Sequence, residues 1–230
     1  MIPCRLLLTL LLAGIGHAAH AARPMITDDA RLVDPGACQL ETWVQFLSTE
    51  SIGWALPACN PGGNFEVTLG GALARPQGEP TEGAVLIQGK TLFKALEPGS
   101  WGAGLAAGYS TQPGQSTREG SPYAYAPVSL SLVDDRAVIH LNPGIIHRRG
   151  SGDTRLSWGV GGEFALSERS WLIAEGFGLD KDTGYYQGGM RFWIIPGQVQ
   201  VDATYGSSFA ESREDRWFSL GLRLILPRIF

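Results

Sequence analysis

The sequence predicts an all-β protein: a transmembrane antiparallel up-and-down β-barrel of twelve strands, with ten strands as the alternative. Apolar and polar residues alternate with a period of two over stretches of about ten residues. Short connections alternate with longer ones along the chain, as in outer-membrane barrels. Glycine accounts for 31 of the 230 residues and charged residues for only 17%, whereas about 25% charged residues is usual in soluble proteins.

Composition excludes several other classes of protein. The net charge of −4 argues against a nucleic-acid binder, and the low content of charged residues argues against disorder. The mean hydropathy is +0.01, and the only long apolar block is at the N-terminus. A membrane protein built of helices is therefore not expected.

The first segment, residues 1–22, has the features of a secretory signal peptide. Arg5 provides the positive charge, Leu6 to Ile15 the apolar stretch, and Ala19-His20-Ala21 a small-residue cleavage site. The sequence therefore predicts export to the envelope of a Gram-negative cell, followed by a periplasmic N-terminal segment (residues 23–37) and an outer-membrane barrel (residues 38–230).

The N-terminal segment does not alternate, which indicates a loop. It either lies across the periplasmic mouth or folds into the lumen as a partial plug, and a disordered leader is the alternative. The residues that indicate an irregular backbone are Pro24, Asp28, Asp29, Asp34 and Pro35.

The barrel strands follow from the alternation, which is clearest near the C-terminus, where Phe218, Leu220 and Leu222 alternate with Ser219 and Gly221. Short connections follow the even-numbered strands and mostly longer polar loops follow the odd-numbered ones, so both termini are expected on the periplasmic side. The expected strands lie near 39–47, 51–58, 64–73, 84–94, 101–110, 123–133, 136–147, 154–165, 170–178, 184–194, 198–206 and 216–226.

The alternative to a barrel is a soluble β-sandwich, whose apolar faces would fill a core. Here the polar face carries glycine, serine and scattered charges, and the apolar face forms a continuous band. Closure of the sheet would pair every backbone group in lipid. The terminal Phe230 resembles the signature by which the outer-membrane assembly machinery recognises barrels, although Arg228 departs from it.

Two cysteines remain after the signal peptide, and an exported chain favours a disulfide between Cys38 and Cys59. Cys38 begins the first strand and Cys59 ends the second. The apolar faces match best when Val44 opposes Trp54. That register places Cys38 opposite Asn60, one residue from Cys59, a distance that fraying of the strand ends would allow.

If the apolar face contacts lipid, the opposite face lines the lumen, because a charge in lipid is costly. Charges on neighbouring strands alternate in sign, from Glu175 through Arg191, Asp202 and Arg223 to Glu41. This pattern predicts either an ion-pair ladder that fills the lumen or a polar pore lining that selects a solute. The expected lumen residues are Glu41, Glu66, Lys90, His140, Asn142, Arg155, Glu163, Glu175, Arg191, Asp202 and Arg223.

One sector of the wall has very small inward side chains. It offers a path for a solute, or a surface on which neighbouring tyrosines pack. Its residues are Gly102, Gly104, Ala106, Gly108, Ser129 and Ser131, with Tyr123 and Tyr125 toward the outer mouth.

An enzyme is the weaker hypothesis. His140 and Asn142 share one face of a strand and Ser129 or Ser131 lies on its neighbour, which provides the parts of a Ser-His-Asn hydrolase. No metal-ligand spacing and no phosphate-binding or nucleotide fingerprint is present. We therefore expect no catalytic residue, no cofactor and no metal.

Several motifs, taken together, resemble a known family. They are Arg23-Pro-Met-Ile-Thr-Asp-Asp-Ala30, Cys38-Gln-Leu-Glu-Thr-Trp43, Pro57-Ala-Cys-Asn60, Tyr186-Gln-Gly-Gly-Met-Arg-Phe-Trp193 and Gln200-Val-Asp-Ala-Thr-Tyr-Gly206. This set is similar to a family of small, mostly uncharacterised proteobacterial outer-membrane β-barrels, and to transporters linked by name to the phenol meta-degradation pathway. The resemblance implies location and fold, and it carries over no catalytic residue.

The sequence thus predicts a monomeric outer-membrane channel or transporter for small molecules. The alternatives are the hydrolase above and a structural or adhesion barrel whose loops bind partners. The expected partners are outer-membrane lipid, lipopolysaccharide, the assembly machinery through Phe230 and a small-molecule solute, without nucleic acid.

Overall fold

The computed structural model describes residues 25–210, 212–227 and 229. The predicted signal peptide, residues 1–22, and the terminal Phe230 lie outside the described residues. Every regular element in the described part is a β-strand. No helix in those ranges is long and apolar enough to cross a bilayer.

The strands run antiparallel in chain order around the sheet. We call the end at which the first strand begins and the last one ends the periplasmic end, and the opposite end the extracellular end. The strands are β1 (Cys38–Leu47), β2 (Glu50–Cys59), β3 (Glu66–Pro76), β4 (Glu82–Lys94), β5 (Trp101–Ser110), β6 (Ser121–Tyr125), β7 (Val128–Leu132), β8 (Ala137–Leu141), β9 (Gly144–Arg148), β10 (Asp153–Ala165), β11 (Ser170–Leu179), β12 (Tyr185–Ile195), β13 (Val199–Ser208) and β14 (Trp217–Leu226).

Two prolines each divide one barrel strand into two segments. Pro127 separates β6 from β7, and Pro143 separates β8 from β9. Proline has no N–H group for the ladder, so pairing is interrupted there. Because β6 with β7 and β8 with β9 each form one barrel strand, the described residues form the twelve strands predicted. The segments expected as continuous, 123–133 and 136–147, are the interrupted ones.

The sheet closes on itself, since β1 pairs with β14 from Cys38↔Leu226 to Leu47↔Trp217. The distribution of apolar and polar side chains is the reverse of that in a soluble protein. Leu73 and Leu220 on the outer surface are 64% and 50% exposed, while most of the buried charged and amide side chains face the interior. The predicted barrel is confirmed, and the β-sandwich is excluded because its apolar face would be buried.

The register of the first hairpin differs by one residue from the prediction. Cys38 pairs directly with Cys59, and the two form a disulfide. Trp54 lies opposite Trp43 rather than Val44. A shift of one residue moves every side chain of a strand to the other face, so Trp54 lies inside the barrel. There it stacks on Trp43, with ring centroids 5.4 Å apart, a contact that matching of apolar faces did not anticipate.

Candidate functional site

The N-terminal segment is described from residue 25 to residue 37, and residues 25–33 lie inside the barrel, where wall side chains bind their backbone. The carboxylate of Glu175 accepts hydrogen bonds from the N–H groups of Ile26, at 2.6 Å, and Thr27, at 2.7 Å. Asn142 binds both backbone groups of Asp28: its Oδ1 accepts from the N–H group at 2.5 Å, and its Nδ2 donates to the carbonyl at 2.9 Å.

The same kind of contact continues toward the periplasmic end. Ser129 Oγ accepts the N–H group of Ala30 at 2.9 Å. Glu66 accepts the N–H group of Val33 at 2.9 Å, and Asn60 Nδ2 donates to the carbonyl of Val33 at 2.7 Å. Wall side chains thus satisfy the backbone groups that a neighbouring strand would otherwise satisfy. The segment is bound through its backbone in a polar site.

Lys90 is the wall cation that lies beside the acids of this segment. Its Nζ lies 2.9 Å from Asp28 Oδ1 and 3.9 Å from both Asp29 Oδ1 and Glu66 Oε1. Tyr125 donates its hydroxyl proton to Asp28 Oδ2 at 2.6 Å. These groups are buried, so each depends on the others to offset the cost of its own desolvation.

A second buried cluster surrounds His140. Its Nδ1 lies 2.8 Å from Ser129 Oγ, and its Nε2 lies 3.4 Å from Glu163 Oε1. Arg191 donates to Glu163 Oε2 at 2.7 Å. The Ser-His-Asn arrangement of the alternative hydrolase hypothesis does not form, because Asn142 binds Asp28 instead. A carboxylate takes the place of the asparagine beside the imidazole.

The predicted ion-pair ladder is wrong at its first step, from Glu175 to Arg191. Glu175 lies opposite Gln187 in the β11–β12 pairing, whereas Arg191 lies opposite Trp171, nearer the periplasmic end. Gln187 donates to Glu175 Oε1 at 2.5 Å. Glu175 and Arg191 both point into the lumen, but Arg191 lies nearer the periplasmic end along the barrel axis. Arg191 therefore pairs with Glu163 on β10 and not with Glu175.

Other predicted lumen residues lie lower in the barrel. Arg223 Nε is 3.5 Å from Glu41 Oε1, its neighbour in the β1–β14 pairing, and its guanidinium also donates to Gln39. Asp202 is buried opposite Arg191 in the β12–β13 pairing. These charges lie near the periplasmic mouth.

Arg155 does not join the buried lumen groups. It lies at the extracellular end of β10, where its guanidinium contacts Asp153 and is 3.6 Å from Asp182 Oδ1. Arg148 binds the same two carboxylates, at 2.7 Å and 3.1 Å. This cluster belongs to the extracellular loops.

The sector with small inward residues is filled by neighbouring side chains. A Cβ atom at Gly108 would overlap the hydroxyl of Tyr123, and one at Gly104 would lie 2.8 Å from Leu92 Cδ2. Of the two readings of this sector, packing on the glycines is the one observed. Leu92 and Val138 also pack on Ala30 of the N-terminal segment.

A polar cavity of about 360 Å³ remains between the segment and the wall. Side chains of both charge signs line it, so it suits a polar solute better than an apolar one. Its charged lining residues are Asp28, Asp29, Arg31, Glu41, Glu66, Lys90, Asp135, Glu163, Arg191 and Arg223.

The extracellular half of the lumen carries a group of aromatic side chains that the sequence analysis did not single out. Phe177 and Tyr185 stack at 6.0 Å, and Tyr185 contacts Trp217 at 6.2 Å between centroids. With Trp43 and Trp54 they line a cavity of about 90 Å³. Parity gave a signal for four of them, because each shares a face with a predicted lumen residue on its own strand. Phe177 shares a face with Glu175, and Tyr185 with Arg191. Trp217 shares a face with Arg223, and Trp43 with Glu41.

Within the ranges that the structure describes, no group of three or more histidine, cysteine, aspartate or glutamate side chains could hold a metal ion. The buried acids instead contact the basic side chains and backbone N–H groups described above.

Solved structures of outer-membrane channels share this fold. The KdgM porin matches with a TM-score of 0.64 and 6% identity, covering 81% of this chain and 98% of that one. The NanC porin matches at 0.60 and 7%, covering 82% and 98%. The COG4313 outer membrane channel from Pseudomonas putida F1 matches at 0.59 and 10%, covering 86% and 97%. At such low identity the likeness is one of fold.

No curated protein matches the sequence significantly. The sequence does match the profile of one protein family over residues 7–226, nearly its whole length. The chain therefore belongs to the family described as uncharacterised conserved protein UCP029691.

Proposed function

We propose that the protein is an outer-membrane channel for small molecules in which residues 25–37 act as a plug. The observation that carries the proposal is that this segment lies in the lumen and is bound by wall side chains rather than by strand pairing. Such contacts can be broken without opening the barrel, because the barrel's own ladder does not include them. Barrels of twelve strands are intermediate between packed small barrels and open porins.

The apolar outer surface supports placement in the outer membrane as a monomer surrounded by lipid, with lipopolysaccharide at the extracellular end. Arg149, which is exposed near that end, provides a cation for lipid phosphates. We further propose recognition by the assembly machinery through the C-terminal residues, including Phe230. We also propose a more specific role, in uptake linked to phenol meta-degradation, and this part rests on the motif resemblance alone.

Deletion of residues 25–33 tests the channel proposal. In planar bilayers and in liposome swelling, the deletion variant should give larger single-channel conductance and faster solute entry than the full chain. The deletion stops before Asp34, so the contact between Gly36 and Asn60 and the Cys38–Cys59 disulfide are retained. Heat-modifiable migration on gels checks that the barrel has folded. If the folded variant conducts no better than the full chain, the segment is not a plug.

The Ser129–His140–Glu163 cluster supports a second candidate, a hydrolase. Against it, Ser129 is 0% exposed, and its hydroxyl already accepts the N–H group of Ala30. We propose that this cluster anchors the plug and that the protein is not an enzyme. Ester and phospholipid hydrolysis by the full chain, by the 25–33 deletion and by His140→Ala decides between the two. Hydrolysis that appears in the 25–33 deletion and is lost when His140→Ala is added to that deletion would establish the hydrolase.

A further inference from the structure

We propose that the extracellular half of the lumen contains a binding site for a small, uncharged solute with a single aromatic ring. This inference deepens the proposed channel function and rests on it. We call the site the aromatic vestibule; it is the cavity lined by Trp43, Trp54, Phe177, Tyr185 and Trp217.

The five rings form an arc along the extracellular half of the wall, with Trp217 opposite Leu47 and Trp43 four residues nearer the periplasmic end. Phe177 lies directly opposite Tyr185 in the β11–β12 pairing, and Trp43 lies directly opposite Trp54 in the β1–β2 pairing. Trp217 lies on β14, between these two pairs around the barrel. Aromatic rings attract one another in stacked and tilted arrangements, so a flat ring placed in the arc gains contacts of the same kind.

The glycine at position 206 makes room for this arc. Its Cβ atom, if present, would overlap the indole of Trp217. The ring of Trp217 therefore lies against bare backbone of β13, and the space beside it remains part of the cavity. A larger residue at this position would push the indole into the vestibule.

The other boundaries of the vestibule are mostly apolar. Ile26 of the N-terminal segment and Pro113 of the β5–β6 loop contribute to the lining, with a few neutral polar groups such as Ser219. The sole charged group in this lining is Asp215. An anion would lose hydration without compensation here, and a cation would meet only Asp215, which already accepts a hydrogen bond from Ser208. The lining therefore favours an uncharged ligand.

The size of the vestibule restricts the ligand to one ring. Its volume is about 90 Å³, and an apolar cavity of about 150 Å³ in another protein is known to hold benzene. The vestibule is smaller than that cavity, so even a single ring has to displace lining side chains, and an oligosaccharide would need far more space. The polar cavity below it, with its many charges, is the less favourable place for such a ring.

The vestibule also contacts the plug through hydrogen bonds. Trp217 Nε1 is 3.4 Å from Gln187 Oε1, and Gln187 Nε2 donates to the same Glu175 oxygen that accepts the N–H group of Ile26. A solute that moves Trp217 would therefore act on a side chain that holds the plug. The site lies where a solute from outside would first meet the plug.

Calorimetric titration of the purified, folded protein with benzyl alcohol tests the site, with detergent alone subtracted and glucose as the comparison probe. Trp217→Leu should weaken benzyl alcohol binding at least about fivefold, the loss expected for a ring contact. Trp158→Leu removes a tryptophan from the outer surface, where Trp158 is 38% exposed, and should leave the affinity unchanged.

Gly206→Ala provides an independent variant if Trp217→Leu does not fold, and it should also weaken binding. Equal heats for all variants would show partition into detergent and would overturn the proposal, as would tighter binding of glucose than of benzyl alcohol. The channel proposal is tested separately by the conductance of the 25–33 deletion. If the unchanged protein does not bind benzyl alcohol but the 25–33 deletion conducts better than the full chain, this inference is overturned and the channel proposal stands.

Discussion

Lys90 of β4 and Asp28 of the N-terminal segment form an ion pair inside the barrel, with Lys90 Nζ 2.9 Å from Asp28 Oδ1. Both side chains are buried. This pair links a wall that is closed by strand pairing to a segment that has no strand pairing of its own. When one partner of such a pair is removed, the other partner is left buried without its counter-charge. The segment can move away from the wall to hydrate that charge, whereas the wall cannot.

Lys90→Met should therefore release the segment. Removal of one member of a buried pair typically costs about 3–5 kcal/mol, and Asp28 would lose the cation that lies between it, Asp29 and Glu66. Arg31 lies in the same segment, so trypsin cleavage after Arg31 in the folded protein measures the release. We expect cleavage at least about tenfold faster than in the unchanged protein.

The matched control is Lys94→Met, on the same strand, whose Nζ binds Ser100 Oγ and the carbonyl of Trp101 outside the lumen. It should leave cleavage after Arg31 unchanged. Equal cleavage in Lys90→Met and Lys94→Met would show that the Lys90–Asp28 pair does not hold the segment.

Glu175→Gln should loosen the upper end of the segment. The carboxylate accepts two backbone N–H groups and the Gln187 amide, and hydrogen bonds to a charged group contribute about 1.5–3 kcal/mol each. Amide hydrogen exchange at Ile26 and Thr27 should become about 10–100-fold faster. Glu119→Gln, in an exposed extracellular loop, is the control. Unchanged protection of Ile26 and Thr27 would contradict the role assigned to Glu175.

Alternation predicted the twelve strands because lipid outside and a polar lumen inside impose opposite demands on successive residues. In β14, Leu220 is exposed on the outer surface and Ser219 is buried on the other face. The period of two gives the face of a residue and nothing about its height. This is why Glu175 and Arg191, which share a face, were expected to pair and do not.

Contacts of the N-terminal segment were beyond sequence reasoning for a related reason. An irregular segment has no period, so nothing in residues 25–37 indicates that Asp28 meets Lys90 or that Ala30 meets Ser129. The register of the first hairpin was missed because Trp54 was assigned to the lipid face from its apolar character. A tryptophan is equally stable in the lumen when it stacks on another ring, as it does on Trp43.

Replacement of both cysteines, Cys38→Ser with Cys59→Ser, should destabilise the barrel at its periplasmic end. The disulfide joins residues 21 positions apart, and closure of a loop of that size is worth about 3 kcal/mol in the unfolded chain. The free energy of unfolding in urea, measured in detergent or vesicles, should fall by about that amount. The unchanged protein with its disulfide reduced should behave in the same way. An unchanged urea midpoint in both would show that the barrel ladder alone fixes this hairpin.

Leu220→Arg tests whether the apolar outer face contacts lipid. Arginine at the bilayer midplane of a barrel costs about 2–4 kcal/mol, and near the interface about 0–1 kcal/mol. Leu226 is as exposed as Leu220, at 50%, but ends β14 at the periplasmic side, so Leu226→Arg is a control that changes only depth. In vesicle-refolded protein, Leu220→Arg should lower the free energy of unfolding by about 2 kcal/mol more than Leu226→Arg does. Equal losses at the two positions would mean that the band around Leu220 does not lie in the hydrocarbon layer.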